Sequence, residues 1–233
     1  MDGFFRNFND IGNLFNDALM RIIPALLCIT IHELAHGFTA YKLGDTTAKN
    51  MGRLTLNPIK HIDPVGLLMM LVMRFGWAKP VPVDMRNFKH PKWYMAVTAL
   101  AGPVSNIILA SVMMMVFGAV IVFLAGANSG SFITDFIFTV IYNTIYISIA
   151  LAVFNMLPLP PLDGSKVLFS LLPENTYYKL MRYERFGMIA LLIIVGLQMF
   201  LNINIFGYII GYPTEVIFSR LIVFYNFTFN LVN

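Results

Sequence analysis

One cysteine, two tryptophans, four histidines and only 12% charged residues occupy 233 positions, and these scarcities narrow the class of the chain before any motif is considered. Cys28 stands alone, so no disulfide can form within the chain and a packing role is expected for it. With so few charges, the chain cannot clothe a water-soluble domain. No phosphate-cradling glycine loop and no repeat of about 20 to 50 residues is visible, which removes the common nucleotide-binding and solenoid architectures. The opening stretch MDGFFRNFNDIGNLFNDALMR lacks an apolar run followed by a small-residue cleavage site, so no removable signal peptide is expected.

What fills the chain instead is apolar: 58% hydrophobic residues, 14% aromatic ones and a mean hydropathy of +0.72 describe an all-α polytopic membrane protein. The fifteen Met and twenty-one Phe are bulk hydrophobes for a lipid environment, not a cofactor box. Runs with little charge predict about five transmembrane helices: Ile22 to Tyr41, Trp93 to Ala127 with tilt or a kink at Gly102 and Pro103, Phe132 to Phe154, Phe186 to Gly211, and Val216 to Val232. A turn at Gly211, Tyr212 and Pro213 should separate the last two. Val65 to Met73 is too short to cross and reads as a re-entrant segment, ending in RFGWAKPVPVDMR, whose Gly, Pro and alternating Val suggest a short β-hairpin. The whole of 1–233 reads as a single membrane-embedded domain, with a core over about 20–170 and C-terminal helices over about 186–232.

Nine Lys or Arg lie between Lys42 and Lys92, and Lys166, Lys179, Arg182 and Arg185 follow the third predicted span. Both segments should therefore be cytoplasmic, because the connections around Gly126 to Ser131 and Gly211 to Glu215 carry no Lys or Arg. The net charge of +4 thus reflects topology in a multi-pass cell-membrane protein. With no separate basic patch interleaved with aromatics, nucleic acid is not a partner; the lipid bilayer is, and oligomeric state leaves no trace.

Within the first span stands HELAH, residues 32 to 36. A random His-Glu-x-x-His is expected in only about 0.1% of chains of this composition. Four residues apart on a helix, His32 and His36 can offer two ring nitrogens to one ion, and Glu33 falls beside it, placed to carry a water's proton. From His36 to Lys42 is roughly 9 Å of helix, which puts the pair inside the bilayer near its cytoplasmic edge. Core histidines hydrogen-bonded to neighbouring helices are the bland alternative, an expensive one in a membrane.

A catalytic zinc wants a third protein ligand and an open position. The soluble patterns fail, since Thr39 and Lys42 fill the places a third His would need and no Glu occurs between Glu33 and Glu174. Asp163 in NMLPLPPLDG, residues 155 to 164, returns at the right depth, where Pro158, Pro160 and Pro161 break the helix and Gly164 permits a tight backbone. An ordinary Pro-Asp-Gly-type turn is the alternative for that segment. Asp45, Asp63 and Asp84 lie on the same side among basic residues, where solvation suffices; His61 and His90 are expected to be solvated or structural.

HELAH, GPVSN at 102 to 106 and NMLPLPPLDG together resemble the site-2 protease family of intramembrane metalloproteases, over about residues 20 to 170. The stretch from Gly52 to Asp84 is similar to short-form members, and there is no room for an inserted PDZ domain or a nucleotide-sensing module. The resemblance implies one Zn2+ per chain on His32, His36 and Asp163, Glu33 as general base and acid, and a transmembrane protein substrate cleaved near the cytoplasmic face. Asn106 and Asn155 resemble polar residues beside the metal that can bond a substrate backbone or an oxyanion; helix packing is the other use of such amides. The segment from Gly76 and Trp77 to Val83 can offer an edge to an unwound substrate, or lie as a plain surface loop. A non-catalytic membrane metal-binding or carrier protein is the competing class, disfavoured because only one polar cluster occurs within the spans and Glu33 is intact.

Overall fold

The computed structural model describes residues 2–73, 76–124, 132–201 and 203–232. The first helix, α1, runs Asp2–Lys42 and ends where Gly44 adopts a φ of +111°, a left-handed conformation that glycine takes without strain. The Asp45 N–H then bonds back to the Ala40 carbonyl at 2.9 Å. A short helix α2, Thr47–Asn50, and a 3₁₀ turn at Pro58–His61 lead to α3, Pro64–Met73. Asp63 starts α3, its Oδ1 accepting the N–H groups of Val65 and Gly66 at 2.9 Å each. Four longer helices and one short one complete the chain: α4 Pro91–Leu124, α5 Phe132–Asn155, α6 Asp163–Ser170, α7 Glu174–Leu201 and α8 Tyr212–Val232.

Helices α1, α4 and α5 pack on one another, and α6 tucks against α4. Between α4 and α5 lies a buried cluster of Ala110, Met114, Ile141, Ile145 and Ile149, closed by Ile217, Phe218 and Leu221 of α8. Close packing of this kind, rather than water exclusion, holds helices together in lipid. Helix α7 leans mainly on α6. Cys28 is buried, its thiol facing the Thr144 carbonyl at 3.5 Å, in keeping with a packing role.

Among the described residues, three helical stretches are long and apolar enough to cross a membrane: Leu19–Lys42, Pro91–Phe123 and Ile133–Asn155. The fourth predicted span, Phe186 to Gly211, is not one continuous helix: α7 ends at Leu201, residues 203–204 are non-helical, and helix resumes at Ile205. The break in that region falls near Ile203 and Asn204, not at Gly211 to Pro213. A π-helical turn, Gly207–Gly211, runs directly into α8. Proline has no N–H to lose in a first turn, so Pro213 is accommodated there. Helix α8 carries two charged residues, Glu215 and Arg220, along an otherwise largely apolar sequence. Helix α4 continues through Pro103.

Sequence reading also placed a β-hairpin after α3. The described residues hold no sheet there: a single antiparallel bridge joins Ile62 to Ala78, with the Lys79 N–H donating to the His61 carbonyl at 3.0 Å. Pro80 and Pro82 supply no ladder donors, which stops the pairing. Arg74, Phe75, the connection at 125–131 and Asn202 lie outside the described residues.

Candidate metal centre

Helical spacing on α1 stacks His32 and His36 one turn apart on the face turned towards α4 and α6. Their Nε2 atoms are 3.0 Å apart, and Asp163 Oδ2 lies 3.1 Å from each. Asp163 reaches them as the first residue of α6, after a non-helical 156–162 segment that redirects the chain at the end of α5. That return is tight: a Cβ on Gly164 would collide with the Met156 carbonyl. His32, His36 and Asp163 are 5%, 9% and 7% exposed, so water does not solvate the three donors freely.

Protons decide whether this cluster suits a metal. The Nδ1 of His36 lies 2.7 Å from the Thr98 carbonyl, an acceptor only, so Nδ1 carries the hydrogen and Nε2 of the neutral ring is a lone pair. That lone pair faces a carboxylate oxygen and a second imidazole nitrogen. Tetrahedral zinc bonds of about 2.0–2.1 Å would set such donors roughly 3.3 Å apart, close to the spacing found. Two imidazoles and a carboxylate are also a donor set that zinc accepts. The residues therefore fit the ion. Among the described residues, this is the one cluster of His, Cys, Asp or Glu with ligand atoms that close.

Helix α4 backs the pair with three positions on one face, Thr98, Gly102 and Asn106. A Cβ on Gly102 would stand 2.5 Å from His36 Nε2 and 2.6 Å from His32 Cε1, so only a glycine allows the rings this close. Asn106 is fully buried with its Nδ2 placed 3.2 Å from His32 Nδ1. Glu33 points away from that helix: its Oε2 accepts the Val81 N–H at 2.8 Å. Between Pro80 and Pro82, Val81 has the only N–H of the three residues, and it is spent on Glu33. Arg53, 7% exposed, fixes the same segment by donating from its Nη2 to the carbonyls of Lys79 at 2.8 Å and Pro80 at 3.3 Å.

Two cavities open on these residues and share His32, Glu33, Asn155 and Pro161. The larger, about 300 Å³, is polar and adds His36, Asp163, Lys166 and Glu184. The Lys166 ammonium sits 3.3 Å from Glu184 Oε1 and 3.9 Å from Asp163 Oδ1, joining α6 to α7. Burial works against that charge, but the two carboxylates outweigh it and hold the Lys166 pKa above its ordinary value. The smaller cavity, about 170 Å³, is walled by Gly76, Trp77, Leu151, Phe154, Met188 and Leu191. Asn155, Gly76 and Trp77 are thus brought to the same place as Glu33, while Asn106 is sealed behind the histidine. Asn155 Nδ2 itself donates to the Leu151 carbonyl at 3.0 Å. His61 is buried against the Thr55 carbonyl and His90 stacks edge-on with Tyr94, so neither belongs to the cluster.

The family model for peptidase family M50 matches residues 118–201. The protein provisionally named zinc metalloprotease YwhC of Bacillus subtilis is 43% identical over 179 residues, covering 74% of this chain and 78% of that one. The chain belongs to peptidase family M50. This is the site-2 protease family that HELAH and NMLPLPPLDG resembled, and membership makes the chain an intramembrane zinc metalloprotease. Two further relatives match at lower identity. The proteins provisionally named zinc metalloprotease Rip2 of Mycolicibacterium smegmatis and of Mycobacterium tuberculosis H37Rv are 26% and 28% identical, over 73% and 76% of this chain. The alignments span 64% and 66% of those longer proteins. No solved structure matches the chain. The residues matched to the M50 model include Asn155 and Asp163 but not HELAH, so the α1 half of the metal cluster rests on the motif and the geometry.

Thr98, Gly102, Val81, Arg53 and Lys166 were not read as site residues from sequence. Thr98 and Val81 act through backbone atoms, which leave no mark on residue type. Gly102 stood out in GPVSN, but as a kink and a family mark, not as a notch.

Proposed function

We propose that this M50 protease hydrolyses peptide bonds in or near membrane-spanning segments of other membrane proteins, as one domain holding one zinc ion on His32, His36 and Asp163. The observation that carries this reading is the convergence of three buried donors within 3.1 Å, at least one of them a lone pair fixed by its partner on α4. A zinc ion there supplies a Lewis acid that acidifies a water and polarises a carbonyl. Glu33 is the proton carrier. Its Oε2 is held by Val81, leaving Oε1 to take a proton from the attacking water and afterwards return it to the leaving nitrogen.

Substrate contact falls to the smaller cavity. Its apolar walls suit a bulky apolar side chain beside the cleaved bond, with Asn155, Gly76 and Trp77 lining the approach to Glu33. The unwound substrate backbone needs hydrogen-bond partners, and the extended segment before Val83 has carbonyls to offer. The nine basic residues from Lys42 to Lys92 support placing this end of the bundle at the cytoplasmic face.

Two substitutions test the reading. Glu33→Gln should keep zinc at one per chain and lower cleavage of a transmembrane reporter by about 10²- to 10⁴-fold. Asp163→Ala should release the metal. Full cleavage by the Glu33→Gln protein would refute the role given to Glu33, and undiminished zinc in Asp163→Ala would refute the third ligand.

A further inference from the structure

Resting on the zinc set proposed above, we infer that Asn106 is a positioning residue that makes His32 a metal ligand, its side-chain oxygen accepting the Nδ1–H of His32 so that Nε2 stays a lone pair. An imidazole can ligate through Nε2 only if its hydrogen sits on Nδ1, and a buried N–H must find an acceptor. His36 has the Thr98 carbonyl for this purpose. His32 has only the carboxamide of Asn106, 3.2 Å from its Nδ1.

Which end of that carboxamide faces the ring is a matter of chemistry, because nitrogen and oxygen occupy nearly the same shape. Placed with Nδ2 towards His32, Asn106 leaves its Oδ1 buried without any partner. Nothing on the far side holds the oxygen, so turning the amide over gives up only the Nδ2 contact with His32. Turned, the oxygen meets the Nδ1–H that ligation requires. Asn106 is fully buried, two helical turns beyond Thr98 on α4, with Gly102 between them. The face of α4 towards α1 therefore carries one acceptor for each histidine and a gap for both rings. This places Asn106 out of reach of substrate and assigns it to the metal.

Zinc affinity of the purified full-length protein, read by competition with a chelator, tests the inference. Asn106→Ala should weaken zinc by about 10- to 100-fold, the usual effect of losing a ligand's outer partner, whereas Asn106→Asp, which keeps an oxygen at the same place, should stay within about threefold of wild type. Wild-type zinc affinity in Asn106→Ala would overturn the inference, the more so with a raised KM, the mark of a substrate contact. An Asn106→Asp protein that binds zinc as poorly as Asn106→Ala would overturn it too, and this variant decides the matter alone if the alanine protein does not fold. His32→Ala separates the two levels: unchanged zinc affinity there would refute the ligand set itself, independently of Asn106.

Discussion

Gly102 serves the metal cluster by having no side chain. Its absent Cβ leaves the space that the edges of both imidazole rings occupy, so Gly102→Ala must push the histidines or α4 aside. Overpacking of a tight site costs about 1–3 kcal/mol, and here the displaced groups are the proposed ligands. The expected outcome is a protein that inserts into membranes but binds zinc at least tenfold more weakly, measured by metal content after dialysis against a chelator; unchanged zinc content would show that α4 yields instead. At the same scale, HELAH and Asp163 could be read from the sequence because ligand chemistry needs particular side chains. Thr98 and Val81 could not, since any non-proline residue brings the same carbonyl and N–H.

The connection from α1 to α4 is organised by two side chains that sequence reading assigned to solvent or to the orientation rule. Asp45 is fully buried and accepts hydrogen bonds from the backbone N–H groups of Thr47 at 3.0 Å and Asp84 at 2.7 Å and from Asn87 Nδ2 at 2.8 Å. Burial alone would raise its pKa, but these bonds and that from the Thr47 hydroxyl outweigh it and leave the carboxyl below its ordinary value. A carboxyl lowered in the folded state contributes stability above its unfolded pKa of about 3.9, and that contribution fades as pH falls through the folded value. Thermal melting between about pH 5 and 3 should therefore drop less steeply in Asp45→Asn than in wild type; equal slopes would show that Asp45 is not a source of acid sensitivity. Arg53 clamps the carbonyls on either side of Lys79–Pro80, just ahead of the N–H that holds Glu33. Removing it by Arg53→Ala should cost about 2 kcal/mol and lower kcat while zinc content stays at wild type. A loss of zinc instead would place Arg53's effect on α1 rather than on Glu33.

Across the whole molecule, the metal cluster joins the end of α1 to the start of α6, elements separated by about 130 positions in sequence. Without a cation, acceptor atoms crowd one another in a buried space, so the fold and the metal are coupled. Chelation should lower the Tm of wild type and leave that of Asp163→Ala unchanged; zinc at a thousand times its Kd is worth about 4 kcal/mol. Equal sensitivity of both proteins to chelator would mean the stabilising ion sits elsewhere. Helix α7 closes the smaller cavity with Met188 and Leu191 and is tied to α6 through Lys166 and Glu184, so the wall beside the cluster belongs to a helix only lightly held by the bundle.

Composition and motif alone determined that this chain is a helical membrane protein with a His-Glu-x-x-His cluster, because apolar length and ligand type are properties of residues. They also offered Asp163 as a candidate, with a Pro-Asp-Gly-type turn as its alternative, and the resemblance to the site-2 protease family implied it as the third ligand. Only the tertiary structure decided that Ile62 bridges to Ala78 where a hairpin was expected, that the Val81 N–H is spent on Glu33, and that α4 supports both histidines. Those outcomes depend on which backbone atoms come within about 3 Å of which rings, and that distance is set by helix packing rather than by any residue's own preference.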